Sequence, residues 1–523
     1  MLAIFKSGKV YVPLDKIIPE ERKKVILEQL DNFAIITDEN SYSYEGCEVI
    51  TIKGLFHDVK IESECISKKD KYIVNDIAYM IFTSGSTGTP KGVEVSHESL
   101  LTLMCDVNKK ITNTFKKQWI LFHSYGFDYS IFEILAPLSS GGTLNVVPQS
   151  IRKFPDLFRE FLIENRINIL TQTPSAFLSL QRVDSVKDNF INTLEYIFIG
   201  GEDIKFKDLS PWFSKYGYNK PKVFNLYGLT ETTIISTAHQ INKNDVETKQ
   251  RNNIGYPIGN TLLRVVNRDG SLVLPGFEGE LIISGPAIAN GYYKNPEKTN
   301  KVFIKNNNSF KTGDLVKVLS NGELQYINRI DKQVQISGHR VELGEIESAI
   351  NGCSFCEESY VIAKDFNIGD RRLIAYYKLT ETFKITSEQI RNEIKNKLPD
   401  YMLPAFWIEV TEFPLNASGK IDESRLPDVI ELSNSTCKKS KVSRNDSTCL
   451  SRIQLIWSEV LKTDIDQDDN FFEAGGTSVL ITEVYYRILK EFNLSEEELS
   501  MIDLFDYVTP LEVSQFIEEK LRK

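Results

Sequence analysis

No stretch of this 523-residue chain reaches the ~18 consecutive apolar residues that a membrane-spanning helix needs. Met1-Leu-Ala-Ile-Phe5 is too short an apolar run for a secretion signal, and Lys6 ends it, so a cytoplasmic enzyme is expected. Paired cysteines are lacking as well. The seven, at 47, 65, 105, 353, 356, 437 and 449, are odd in number and scattered, which argues against a disulfide framework. Cys353-Ser-Phe-Cys356 has half the spacing of a zinc site, with no second pair and no histidine nearby. A basic excess is missing too: 62 Lys+Arg face 72 Asp+Glu, and no nucleic-acid partner is expected.

What is present is a chain long enough for three or four units of about 150 residues, with 41% hydrophobic residues spread along it. The acidity is concentrated at one end. Residues 448–523 hold seven Lys+Arg and sixteen Asp+Glu, a net of −9, against −10 for the whole chain. A compact acidic module there suits docking on basic surfaces. Before it, residues 431–447 are polar and nearly devoid of apolar anchors, which predicts a linker.

The most informative stretch is Tyr79-Met-Ile-Phe-Thr83-Ser84-Gly85-Ser86-Thr87-Gly88-Thr89-Pro90-Lys91-Gly92. An apolar run feeds glycines, hydroxyls and a lysine, the chemistry of a phosphate cradle. The spacing is not that of a Walker loop: counting from Gly85, Pro90 falls at the second glycine and Gly92 at the hydroxyl position. Ser96 is placed to cap a helix carrying Leu100, Leu103 or Met104, and Val107, so strand, loop and helix are expected in succession. Upstream, Val10–Leu14 reads as strand, 19–30 as helix and 33–36 as strand, an α/β rhythm.

Thr83 to Gly92 resembles the phosphate loop of the adenylate-forming superfamily, which contains acyl-CoA synthetases, luciferases and the adenylation domains of nonribosomal peptide synthetases. Further strings carry the same resemblance along the chain: Tyr196-Ile-Phe198-Ile-Gly200-Gly201-Glu202, Asn225-Leu226-Tyr227-Gly228-Leu229-Thr230-Glu231, Lys311-Thr-Gly-Asp314-Leu315 and Asn328-Arg329-Ile-Asp331 through Glu345. The resemblance implies that Thr83, Ser84, Gly85, Ser86, Thr87, Gly88, Lys91, Gly201, Glu202, Asn225, Gly228 and Thr230 line the nucleotide site. Tyr227 would stack on adenine, Asp314 and Arg329 would contact the ribose, and Glu231 would bind Mg2+. Thr83, Lys91 and Glu231 count as catalytic, and Asp331 falls at the hinge. Gln335 departs from relatives that carry a lysine used in the thioester-forming conformation. Gly279 to Ser284 and Gly291-Tyr292-Tyr293 read as structural, a strand and a turn.

Asp128 lies within apolar sequence, Phe127-Asp-Tyr129-Ser-Ile-Phe132-Glu, and is either a helix N-cap or a paired buried charge. The segment resembles the substrate motif of amino-acid-activating domains, in which the aspartate holds the α-ammonium. Matched by resemblance, Tyr129, Phe132, Thr171, Phe198, Gly200, Leu226, Ile234 and Ile235 form the side-chain pocket, with Lys420 contacting substrate. No ionised group beyond Asp128 is expected there, so a neutral, apolar or small amino acid of modest size is predicted, or a threonine-like one through Thr171. Pro414 to Asp422 resembles the catalytic-lysine loop, with Lys420 reaching carboxylate and α-phosphate.

In the tail, Ile453, Ile456, Val460 and Leu461 pattern one helix, Leu480, Val484 and Ile488 another, and Thr509-Pro510-Leu-Glu512 opens a third with a capping box. Phe471-Phe-Glu-Ala-Gly475-Gly-Thr-Ser478 resembles the phosphopantetheine attachment motif of carrier domains, with Ser478 modified. The expected architecture is multidomain α/β: a large adenylate-forming core of layered sheets and helices (1–330), a small α+β C-terminal lid (331–430), the linker, and an all-α four-helix carrier domain (448–523). The expected activity is ATP-dependent amino acid adenylation and transfer to 4′-phosphopantetheine. An acyl-CoA-ligase-like enzyme, or an inactive remnant serving only as carrier or binding protein, is the alternative. Cofactors implied are ATP, Mg2+ and covalent phosphopantetheine. Partners implied are a phosphopantetheinyl transferase and downstream condensation or other synthetase modules, with a small MbtH-like protein as a candidate. The element at residues 2–15 resembles one that lies well inside such domains, so upstream elements are expected to precede it, with Met1 internal and apolar core surface left uncovered.

Overall fold

The computed structural model describes the chain except residues 17, 40–42, 54–75, 86–88, 111–115, 249–251, 305, 307, 332, 337, 354, 368–369, 381–386, 416–420, 429–447, 462, 472–473, 475, 477, 496–497, 502 and 522–523. The expectations for Ser86, Thr87, Gly88, Lys420 and the linker lie outside the described residues, as does the Ser478 side chain.

A 12-stranded sheet dominates the first 330 residues. One half is parallel, built from Thr143–Val146, Gln118–Leu121, Ile169–Gln172, Tyr196–Gly200 and Lys222–Tyr227. The other half is antiparallel, running through Thr237–Gln240, Asn253–Pro257, Leu324–Arg329, Ser309–Val318 and Glu278–Ser284 to Leu262–Val266. The parallel strands read as near-continuous apolar runs because both their faces are covered. Alternate residues enter two separate clusters: Trp119, Ile169, Phe198 and Phe224 on one side, and Ile120, Leu170, Ile197 and Val223 on the other. Helix Tyr129–Leu138 covers the first face with Ile131 and Phe132, and helices Pro155–Glu164 and Pro174–Ser185 cover the second with Phe158, Leu162, Phe177 and Leu180. Three loops leave the carboxyl ends of parallel strands after Leu121, Gly200 and Tyr227, the edge at which open α/β sheets bind ligands.

Strand Ile77–Thr83 does not lead through its loop straight into a helix as expected. It pairs antiparallel with Lys91–Ser96, Thr83 opposite Lys91, and only then does helix His97–Lys110 begin. Its cap is as expected, Ser99 N–H donating to Ser96 Oγ at 3.1 Å. Lys91-Gly-Val-Glu-Val-Ser96 carries Val93 and Val95 into the core, a period of two that suits a strand. Gly291–Tyr292, expected as a turn, adds a third strand to this sheet opposite Glu94 and Val93. Val10–Leu14 makes no strand. A single bridge joins Tyr11 to Tyr79, and Pro13, lacking an N–H, cannot extend it.

The lid begins with hairpin Gln333–Ile336 and His339–Glu342, followed by helix Leu343–Asn351 and a three-stranded sheet of Cys356–Asn367, Asp370–Leu379 and Phe406–Glu409. The carrier region has helices Cys449–Leu461, Ser478–Phe492, Asp503–Asp506 and Pro510–Leu521, the last closed by reciprocal Thr509 and Glu512 hydrogen bonds. Trp457 and Phe471 meet edge to face at its centre. Among the described residues, no helix is long and apolar enough to cross a membrane.

Candidate active site

The phosphate-loop hairpin leaves no room for side chains at two positions. A Cβ on Gly85 would lie 2.1 Å from the Thr89 carbonyl oxygen, and one on Gly92 2.6 Å from Met80 Sδ. The hydroxyl of Thr83 is buried without a hydrogen-bond partner, so a donor stands ready beside the loop. Ser84 Oγ donates to the Arg340 carbonyl of the lid hairpin at 2.7 Å.

Lys91 is buried under this loop and donates to Glu231 Oε1 at 3.3 Å and to Tyr292 Oη at 3.1 Å, with its ammonium 4.5 Å from the Tyr292 ring centroid. The Tyr292 hydroxyl donates to Glu231 Oε1 at 2.8 Å, and Arg340 donates to Oε2 at 2.9 Å. Burial works to raise the fully buried Glu231 carboxyl, but Arg340 and Lys91 outweigh it and hold the group well below the carboxylate range. Burial likewise lowers the Lys91 ammonium to about 8, against the pull of Glu231. Glu231 thus already accepts from Lys91, Tyr292, Arg340 and a backbone N–H, close to the roughly four sites a carboxylate offers. Arg340 reaches Glu231 from the hairpin of Gln333–Ile336 and His339–Glu342.

Asp128 occupies the N-cap position of helix Tyr129–Leu138, yet its side chain makes no cap hydrogen bond. It is buried instead against Thr230. Burial pushes its carboxyl up to about 6, partly offset by the Thr230 hydrogen bond, with nearby Glu231 adding to the rise. Beside it the chain folds back through Thr233 and Ile234, at φ +56° and +66°, so that Ile234 O would lie 2.1 Å from a Cβ on Gly228. Two β-branched residues in left-handed backbone are strained, a condition found at functional sites.

A further acidic side chain lies behind the expected pocket, hydrogen-bonded to Thr171. Glu133 is fully buried one helical turn from Asp128. It accepts N–H hydrogen bonds from Phe122 and His123 at 3.0 Å each, pairs with His123 Nδ1 at 2.7 Å, and takes the hydroxyl of Thr171. The Thr171 hydroxyl therefore has its hydrogen committed to Glu133 and can only accept from a substrate. A glutamate at the end of Phe127-Asp-Tyr-Ser-Ile-Phe-Glu133 gives no sign in sequence of which way it faces; the carboxylate at i+5 from Asp128 is the only signal.

The expected nucleotide residues Gly201, Glu202, Asn225, Tyr227, Gly228, Asp314 and Arg329 line one cavity of about 510 Å³, together with Leu226, Asp331 and, from the C-terminal domain, Tyr360, Val361 and Glu423. The Tyr227 hydroxyl and Arg329 Nη1 both hydrogen-bond Asp314, the latter at 2.9 Å, and Arg329 grips Asp331 through two bonds of 2.9 and 2.6 Å. Burial raises the Asp314 carboxyl against the pull of Arg329. Two residues have structural work as well: Glu202 accepts from Ser175 N and Oγ at 2.9 Å each, and Asn225 donates to the Asn253 carbonyl at 2.9 Å. Gln335 leaves its side-chain oxygen buried and unpartnered. Tyr292 and Arg340 are the participants that local sequence did not single out.

The carrier packs against the core. Phe505 meets Phe154 edge to face at 4.6 Å, and helix Ser478–Phe492, whose first residue is Ser478, lies against helix Pro174–Ser185. Half-buried Arg182 of the latter is attracted by carrier Glu483 and by Asp370 of the C-terminal domain.

Residues 1–293 match the AMP-binding enzyme family. The chain belongs to that family. Residues 345–420 match the AMP-binding enzyme C-terminal domain and 451–517 the phosphopantetheine attachment site, so this AMP-binding enzyme is an adenylation unit followed by a carrier. It is 34% identical to syringomycin synthase SyrB1 of Pseudomonas syringae pv. syringae, over 92% of this chain and 79% of that protein. It is 30% identical to the dimodular nonribosomal peptide synthase of Bacillus subtilis (strain 168), over 99% of this chain, and spans only 22% of that relative's length. Against a plipastatin synthase of the same organism the span is 20%, at 33% identity over 100% of this chain. In fold it is similar to holo-PA1221, a nonribosomal synthetase protein containing adenylation and carrier domains, with TM-score 0.81 at 20% identity, covering 100% of this chain and 87% of that one.

Proposed function

We propose that this AMP-binding enzyme couples ATP to an amino acid and passes the activated acyl group to its own carrier. The observation that carries the reading is Asp128, a buried carboxylate at a helix start with no N-cap hydrogen bond, held by the Thr230 side chain and the Tyr129 N–H. Such a group suits an α-ammonium, which would relieve its desolvation. The substrate carboxylate attacks the α-phosphorus of ATP and pyrophosphate leaves. Asp314 and Arg329 hold the ribose, Tyr227 stacks on adenine, Thr83 and Lys91 receive the phosphates, and Lys420 follows the charge moving onto pyrophosphate. ATP fits the free Thr83 donor, the glycine cradle and the cavity at Asp314. Glu231 is a hard oxygen ligand suited to Mg2+, which when bound offsets phosphate charge. Phosphopantetheine on Ser478 supplies the accepting thiol. The working division is core 1–330, lid 331–430, linker 431–447 and carrier 448–523, with Asp331 as hinge. In this reading the enzyme acts in the cytoplasm with a phosphopantetheinyl transferase, further synthetase modules and an MbtH-like protein.

Amino-acid-dependent exchange of labelled pyrophosphate into ATP tests the reading. Exchange is expected with some amino acid and should fall by on the order of 10² in Lys420→Ala. Turnover of fatty or aryl acids with free coenzyme A would favour the acyl-CoA-ligase alternative, and no exchange with any acid would favour the remnant.

A further inference from the structure

We infer that the substrate is an α-amino acid whose side chain has no more than two non-hydrogen atoms, in the class of glycine, alanine and serine, and that Tyr129 sets the limit. The inference rests on the reading that this site activates an amino acid. The side-chain pocket is walled off by its own aromatics. Phe132, Phe198 and Thr171 are each 0% exposed, so no water-sized space touches them. Phe132 packs edge to face on Trp119 at 5.4 Å and lies 6.4 Å from Phe198 and 6.0 Å from Tyr129. Polar groups that would mark a deeper compartment face each other instead, Thr171 and His123 both on Glu133.

Leu226 both lines the nucleotide cavity and belongs to the pocket, so it marks the threshold between them. Across that threshold the space is closed. At Gly200 a single added methyl would lie 2.8 Å from Leu226 O and 3.1 Å from Tyr129 Oη. Asp128 keeps 5% of its surface exposed and Tyr129 4%, beside rings that keep none, so a long side chain has nowhere to go. The Tyr129 hydroxyl is buried with no hydrogen-bond partner, an arrangement that favours a substrate bringing one. That brings serine into the class beside glycine and alanine. Valine, threonine, leucine and the aromatics would each force a packed ring off its position.

A panel of amino acids in the exchange assay, on the full chain, tests this. Glycine, alanine or serine should exceed valine, leucine and phenylalanine by at least about tenfold, the scale at which a pocket discriminates by a methylene or more. Tyr129→Ala should move preference toward valine or leucine by a similar factor. Wild-type preference for any side chain of three or more non-hydrogen atoms overturns the inference and leaves the activation reading standing. Exchange with no amino acid defeats the activation reading, and the pocket is then judged by calorimetry with aminoacyl sulfamoyl adenosines. Tighter binding of the glycyl, alanyl or seryl compound than of the leucyl and phenylalanyl ones supports the inference. Equal or reversed affinities overturn it.

Discussion

At Asp128 binding and stability pull in opposite directions. Its carboxyl is raised from 3.8 to about 6 chiefly by burial, so the folded protein holds a proton there that the unfolded chain releases. The contribution to stability is full below pH 4 and is lost as pH rises through about 6. Above that the ionised group costs the free protein on the order of 2–3 kcal/mol. Asp128→Asn should therefore raise the melting temperature at pH 7.5 by a few degrees, and by progressively less toward pH 4, while amino-acid-dependent exchange collapses. Thermal unfolding of both proteins across that range checks it, and identical curves would mean the carboxylate is not strained. This residue, Thr83 and Glu231 were singled out in the sequence through the resemblance that their strings carry. Tyr292 and Arg340 were not: they reach Glu231 from 61 and 109 residues away, and only tertiary folding brings them there. Glu133 was hidden for a different reason, since the face of a helix turned inward cannot be read from one short apolar segment.

Among elements, the lid hairpin and the phosphate-loop hairpin determine each other's position. Ser84 holds the Arg340 backbone, Glu231 holds its guanidinium and Glu202 accepts from Gly338 N–H, so the hairpin is tied to the core by a largely buried ion pair and two hydrogen bonds. Removing one partner of a buried pair costs about 3–5 kcal/mol, and here the loss falls on the arrangement in which the hairpin occupies the site. Arg340→Ala should slow single-turnover transfer to the carrier by at least about tenfold and slow pyrophosphate exchange distinctly less. Rapid-quench measurement of transfer beside exchange makes the comparison, and equal slowing would show that Arg340 serves both steps alike. The elements themselves were largely readable. The cap at Ser96 and the carrier helices follow from periodicity and capping. The Lys91–Ser96 strand was missed because an N-cap signal and a six-residue alternation share the same residues, and pairing with Ile77–Thr83 decided between them.

For the whole molecule, the question is whether the acidic carrier works on the core it rests on. Phe154 touches Phe505 from the core side, and an edge-to-face pair contributes roughly 0.5–1.5 kcal/mol, so Phe154→Ala should slow loading a few-fold without altering carrier folding, as near-equal helical signals would check. The domain order was legible from three motifs, whereas this contact, formed between surfaces more than 300 residues apart, was not. The most direct test is intact-protein mass spectrometry of the wild type and Ser478→Ala, each treated first with coenzyme A and a phosphopantetheinyl transferase, then with ATP, Mg2+ and glycine, alanine or serine. A phosphopantetheine mass is expected on wild type alone, followed by one aminoacyl increment, while Ser478→Ala gains neither and still exchanges pyrophosphate. A primed wild type that takes up no aminoacyl mass from any amino acid would contradict the proposed loading.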